Sequence, residues 1–103
     1  MLIKISRDFS SMPGARYRTD GPASGQAFLE EHLLPAFLRR SLHDYHVTVD
    51  LDDCEGFSSG FLEEAFGGLV RRLDRATVED GLQFISTEDP SLEQEIRTFI
   101  REA

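Results

Sequence analysis

Between Gly56 and Gly60 the chain reads Gly-Phe-Ser-Ser-Gly, the G-x-S-x-G spacing that presents a nucleophilic serine, here Ser58, on a tight turn between a strand and a helix. Such a serine needs a general base, and in folds built on this elbow the histidine follows it in the chain. His32, His43 and His46 all precede Ser58, and 103 residues are too few for the sheet and oxyanion loop that the chemistry requires. Immediately upstream, Asp50, Asp52, Asp53 and Glu55 crowd four carboxylates into six positions, a density that suits a hard cation or a phosphoacceptor. A phosphoacceptor domain also wants acids after its first strand and a lysine late in the sheet. Here Ser6, Arg7 and Asp8 follow the first strand and the only lysine is Lys4, so the cluster reads as a solvated, turn-forming loop. The histidines lack ligand spacing with Cys54, which has no basic neighbour in sequence and reads as a small apolar side chain. Concentrated positive charge occurs at Arg16 and Arg18 within Ala-Arg-Tyr-Arg-Thr-Asp-Gly-Pro. These two guanidinium groups, expected on one side of a brief strand, either neutralise acids elsewhere or bind an anion or a partner.

The elements that position these groups follow from periodicity. Val47, Thr48, Val49 and Leu51 form a β-favouring run stopped by Asp52, Asp53 and Gly56. From Phe61 the period changes: Phe61, Leu62, Ala65, Phe66, Leu69, Val70 and Leu73 recur at spacings of three and four, as an amphipathic helix requires. Ser58 and Ser59 therefore sit where a strand hands over to a helix, the part of an open α/β sheet where ligands gather. Upstream, Leu2, Ile3 and Ile5 mark a first strand ending near Ser6. An irregular segment from Arg7 to Ala23 follows, punctuated by Pro13, Gly14, Gly21 and Pro22, and a connection of that length is usually functional or mobile. Ser24 caps a helix expected to run to about Leu42 and to bend at Pro35. Downstream, Asp80 and Gly81 are expected to turn into a third strand of Leu82, Phe84 and Ile85. The last helix is capped by Asp89, opens on Pro90 and buries Leu92, Ile96, Phe99 and Ile100, with Glu93 pairing to Arg97. Gly67 and Gly68 inside the central helix imply close packing against another element. The alternation predicts one α/β domain spanning 1–103, with a small, mixed but mostly parallel sheet, right-handed crossovers and helices packed on it.

A net charge of −8 with 40% hydrophobic residues gives a globular domain that repels a phosphate backbone, leaving a basic protein surface as a partner and nucleic acid as none. No apolar run is long enough for a membrane span, and Met-Leu-Ile-Lys-Ile-Ser-Arg-Asp-Phe has no secretory pattern. A single cysteine forms no internal disulfide, and the expected location is cytoplasmic.

Three blocks together, VTVDLDDCEGFSSGFLEEAFGGLVR, PGARYRTDGPASG and EDPSLEQEIRTFI, resemble a STAS-like bacterial family of unestablished function, more distantly related to anti-sigma-factor antagonists. The resemblance covers almost the whole chain. It implies a strand–helix sandwich with one sheet face covered and a non-enzymatic role as a partner-binding switch, the partner being a kinase-like or anti-sigma-like regulator. In those antagonists a serine at the start of the helix after the central strand is phosphorylated. Laid on that pattern without gaps, Ser59 takes the phosphoacceptor place and Ser58 that of a preceding aspartate; a shift of one residue selects Ser58 instead. The expectation is thus a regulatory module without cofactor or metal, using Ser58, Ser59, Gly60 and Phe61, the acidic loop at Asp53, and Arg16, Tyr17, Arg18 and Asp20. The alternative is a sensor of a small ligand or nucleotide whose anion lies between Arg16 and Arg18 and the helix start at Ser59 and Gly60.

Overall fold

A computed structural model describes residues 1–103. Three short strands, β1 (Leu2–Lys4), β2 (Val47–Asp50) and β3 (Leu82–Ile85), pair in sequence order and all run parallel. Their register aligns Ile3, Val49 and Phe84 in one row and Val47 with Leu82 in the next. These residues point to the helix side and, apart from half-buried Phe84, are closed from solvent. The alternate rows, Leu2–Thr48–Gln83 and Lys4–Asp50–Ile85, face outward, as a period of two requires.

The helices form the other layer. After β1 the chain makes one helical turn, α1 (Ile5–Asp8), and a long loop whose only regular piece is a 3₁₀ turn at Arg18–Asp20. Arg16 and Arg18 therefore do not lie on a strand; Gly21 and Pro22, which follow at once, offer no ladder in which a strand could pair. Helix α2 covers 25–38, built from Gly25–Phe28, a π-helical turn Leu29–Leu33, and Leu34–Leu38. Pro35 has no amide hydrogen to give to the preceding turn, and the widened stretch lies just ahead of it. The helix ends four residues short of Leu42, which stands 95% exposed.

Helix α3 spans 59–72 with the same construction: Ser59–Leu62, a π-helical turn Glu63–Gly67, and Gly68–Arg72. A short helix, α4 (Arg75–Gly81), then occupies the place expected for a turn at Asp80 and Gly81. Its start is set by Asp74, whose side chain accepts from the Thr77 amide at 2.7 Å. Helix α5 (Ser91–Glu102) closes the fold, with Ile96 and Ile100 buried, Asp89 accepting from the Ser91 amide and Glu93 3.6 Å from Arg97.

One apolar core of twenty residues joins the inner sheet face to α2, α3 and α5. Its largest side chains, Phe28, Phe61 and Phe66, are fully enclosed. Gly68 permits the approach of α2 to α3, since an added Cβ would lie 2.8 Å from Leu29 Cδ2. No helix is long and apolar enough to cross a membrane.

Candidate functional site

The corner where β2 hands over to α3 is built from backbone groups and two serines. Ser58 is extended (φ −77°, ψ 152°), and its oxygen accepts from the Phe61 amide at 3.0 Å, while its carbonyl takes the Leu62 amide at 3.2 Å. The Ser58 hydroxyl proton goes to the Gly14 carbonyl. Ser58 is thus the N-cap of α3 and is also tied to the long loop. Ser59, the first helical residue, is exposed, and its hydroxyl donates only at 3.4 Å to a Glu95 carboxylate oxygen on α5. The amides of Ser59 and Gly60 have no acceptor within the chain.

Loop residues 10–16 run across this corner as a strap. The Ser11 carbonyl accepts from the Glu55 amide at 2.9 Å; the Ala15 and Arg16 carbonyls accept from Gly25 and Gln26 at 2.8 and 3.0 Å. With Ala27 and Phe28 bonded to the Ser24 side chain and carbonyl, every free donor at the start of α2 is satisfied. The two helix starts in this corner therefore differ: α2 is closed by the strap, and α3 is closed only at Phe61 and Leu62.

Arg16 leaves the strap beside Gly60, where an added Cβ would stand 3.4 Å from Arg16 Cβ and 3.5 Å from its Nε. Its guanidinium lies 2.6 Å from Glu63, which is also held by Arg71 at 2.7 Å. Those two cations, Arg71 first, hold the Glu63 carboxyl below its usual range, against the opposing effect of partial burial. Arg18 faces elsewhere, 3.1 Å from Glu30 and 2.7 Å from Glu31 on α2. Tyr17 is 47% exposed, with the Arg16 guanidinium 6.0 Å from its ring, and Asp20 is exposed at the end of the 3₁₀ turn.

The acidic loop is a connector. Asp50 accepts from the Asp52 amide at 2.9 Å and meets Lys4, which also reaches Asp53 at 2.9 Å. Asp52 takes the Thr87 hydroxyl at 2.5 Å and the Glu88 amide at 3.1 Å, and these bonds lower its pKa. Asp53 has φ 67°, a left-handed conformation that aspartate tolerates. No group of three His, Cys, Asp or Glu side chains is arranged to hold a metal ion. Burial pushes the Cys54 thiol up to about 11, which disfavours the thiolate at neutral pH.

Beside Ser59, between this loop and the β3–α5 connection, lies a cleft of about 390 Å³ at the carboxyl edge of the sheet. Leu51, Phe57 and Leu92 line its apolar side; Asp52, Glu55, Glu88, Asp89 and Glu95 supply carboxylates. No cation of the chain comes within 4 Å of any of those five.

Of the residues expected at the site, the structure brings Ser58, Ser59, Gly60 and Arg16 together. Asp53 lies on the connector loop, while Tyr17, Arg18 and Asp20 project from the strap's far end. Phe61 is a correction: it is 0% exposed, with its ring 5.7 Å from Phe57 and 5.9 Å from Phe28, so it anchors the corner from inside and meets no partner. Sequence reasoning missed Gly14 and Ser11, which contribute only carbonyls, and Glu95, which no spacing relates to Ser59. Ser58→Ala is expected to cost about 1 to 2 kcal/mol, and Ser59→Ala under about 0.5 kcal/mol, in urea unfolding. Equal losses would mean that Ser58 is not the cap.

Residues 24–92, about two thirds of the chain, match a family model described as a STAS-like domain of unknown function (DUF4325). No curated protein and no solved structure matches the chain.

Proposed function

Because the chain belongs to this family of STAS-like domains of unknown function, we propose that it is a non-enzymatic regulatory module that binds a protein partner and is switched at Ser59. The observation that supports this reading is the division of labour at the corner. Ser58 is spent on capping and on the strap, whereas the Ser59 hydroxyl stands exposed at the helix start beside the acidic cleft. A phosphate on Ser59 would gain from the α3 amides and lose from Glu95, so its charge would alter the cleft without opening the core. The unpaired carboxylates of the cleft suit a partner with a basic surface. Immobilised protein is expected to recover a protein partner from its source cell, and Ser59→Asp to change that affinity by about tenfold, which corresponds to about 1.4 kcal/mol. Recovery unaltered by Ser59→Asp, with a partner present, would remove the switch and leave the binding.

A second reading is supported by a different observation. The Arg16 guanidinium adjoins Gly60, and the Ser59 and Gly60 amides have no acceptor in the chain, so a small anion would meet donors from two directions. Arg18 takes no part, being held by Glu30 and Glu31. On this reading, calorimetry with nucleoside triphosphates shows binding by the wild type and at least about a tenfold loss in Arg16→Ala. Absence of heat with both proteins sinks it.

A further inference from the structure

At the opposite edge of the sheet, where β2 and β3 begin, Arg40 is held in a way that the fold does not use up. Its guanidinium lies 4.8 Å from the Phe37 ring centroid and 4.7 Å from that of Tyr45, between two aromatic faces. Nε donates to the Phe37 carbonyl at 3.3 Å. Nη1 is enclosed against Gly81, where an added Cβ would collide with it, and it is the one buried side-chain polar atom without a partner. At the Tyr45 hydroxyl Asp80 raises the pKa and the adjoining Arg40 guanidinium opposes it. Asp80 comes no closer than 4 Å, its carboxylate taken by the Tyr45 hydroxyl.

Seven of the eleven lysines and arginines lie within 4 Å of an acidic side chain; Arg39, Arg40, Arg75 and Arg101 do not, and of these four Arg40 is the one with an enclosed, unpartnered nitrogen. Beside Arg40 is a shallow hollow of about 300 Å³ formed with Ser41, Leu42 and Tyr45, and Leu42 projects from it 95% exposed. A half-buried guanidinium with no carboxylate within 4 Å, next to a solvent-exposed leucine, is complementary to a carboxylate carried beside an apolar side chain.

We infer that the Arg40 hollow is a docking surface for a peptide segment of a partner in which an acidic residue is flanked by apolar ones. The carboxylate pairs with the Arg40 guanidinium, and the apolar neighbour covers Leu42 and the Tyr45 ring. This surface is separate from the Ser59 corner and does not depend on it.

The test is a heteronuclear NMR titration of the full chain, observing backbone amides and arginine Nε–H groups, with acetyl-Leu-Glu-Leu-amide as probe and acetyl-Leu-Gln-Leu-amide as control. The expected result is saturable shifts at Arg40 Nε, Leu42 and Tyr45 with the glutamate peptide at millimolar concentration, and at least about tenfold weaker binding of the glutamine peptide. Arg40→Gln is expected to abolish the shifts. If that variant fails to fold, Leu42→Ser, whose altered side chain lies in solvent, is expected to weaken binding by at least about threefold. No shifts up to ~10 mM, equal shifts with both peptides, or undiminished binding by Leu42→Ser overturns the assignment.

Discussion

Phe61→Ala is expected to lower the free energy of unfolding by about 3 to 5 kcal/mol, a large share of the roughly 5 to 15 kcal/mol that holds a domain of this size together. The ring is fully enclosed and lies 5.7 to 6.3 Å from those of Phe57, Phe28 and Phe9, so three elements meet on it: the loop before α3, α2, and the end of α1. Its removal leaves a cavity that none of those backbones can close, because each is also tied by main-chain hydrogen bonds at the same corner. Urea unfolding followed by circular dichroism measures the effect as a lower midpoint at unchanged slope. Phe57→Ala, on a half-buried ring, is expected to cost less than half as much. Equal losses would show that Phe61 is not the anchor.

Gly25→Ala is expected to cost about 2 to 3 kcal/mol, although alanine is the better helix former. An added Cβ at Gly25 would come within 3.1 Å of the Phe61 Cα and carbonyl carbon and closer still to the carbonyl oxygen. Those are backbone atoms, so no rotamer change relieves the clash and α2 must move away from α3. The displacement would pull the Gly25 and Gln26 amides from the Ala15 and Arg16 carbonyls. Loss of protection of those two amides in hydrogen exchange, beyond the global loss of stability, is the second observable. Gly14→Ala is the contrast: nothing lies within 4 Å of its Cβ position, and a change under about 0.5 kcal/mol is expected.

Most of the fold was legible because it is written in side-chain periodicity. The β-favouring run from Val47 and the helical spacing of Phe61, Leu62, Ala65, Phe66, Leu69 and Val70 correspond to observed elements, and the last helix starts one residue later than expected, at Ser91 with Pro90 rather than Asp89 at the cap position. Gly68, suspect inside a helix, meets Leu29 as close packing requires. The failures have physical causes. Asp80 and Gly81 carry turn chemistry, but Asp74 caps a new helix seven residues earlier, and capping together with burial of Val78 outweighs the cost of a terminal glycine. Arg16 and Arg18 alternate as strand residues would, yet no neighbouring strand offers partners, so one goes to Glu63 and the other to Glu30 and Glu31. At the corner, residue type allows either serine to cap the helix and only the structure selects Ser58, whereas the placement of Phe61 inward follows from its being first in an apolar stripe that begins under the strap. The links from Ser11, Gly14 and Ala15 left no trace, since a peptide carbonyl is the same in every residue.

That anonymity of the clasp has an evolutionary corollary. A fastening made from main-chain oxygens is indifferent to which amino acids supply them, so the exposed positions Ser11, Met12 and Gly14 can vary while buried Pro13 and the spacing from Ser11 to Gly14 to Arg16 cannot. Descendants of this chain should therefore differ there in letters and agree in count, since a single inserted or deleted residue would unfasten the start of α2 and part the Ser58 hydroxyl from the Gly14 carbonyl.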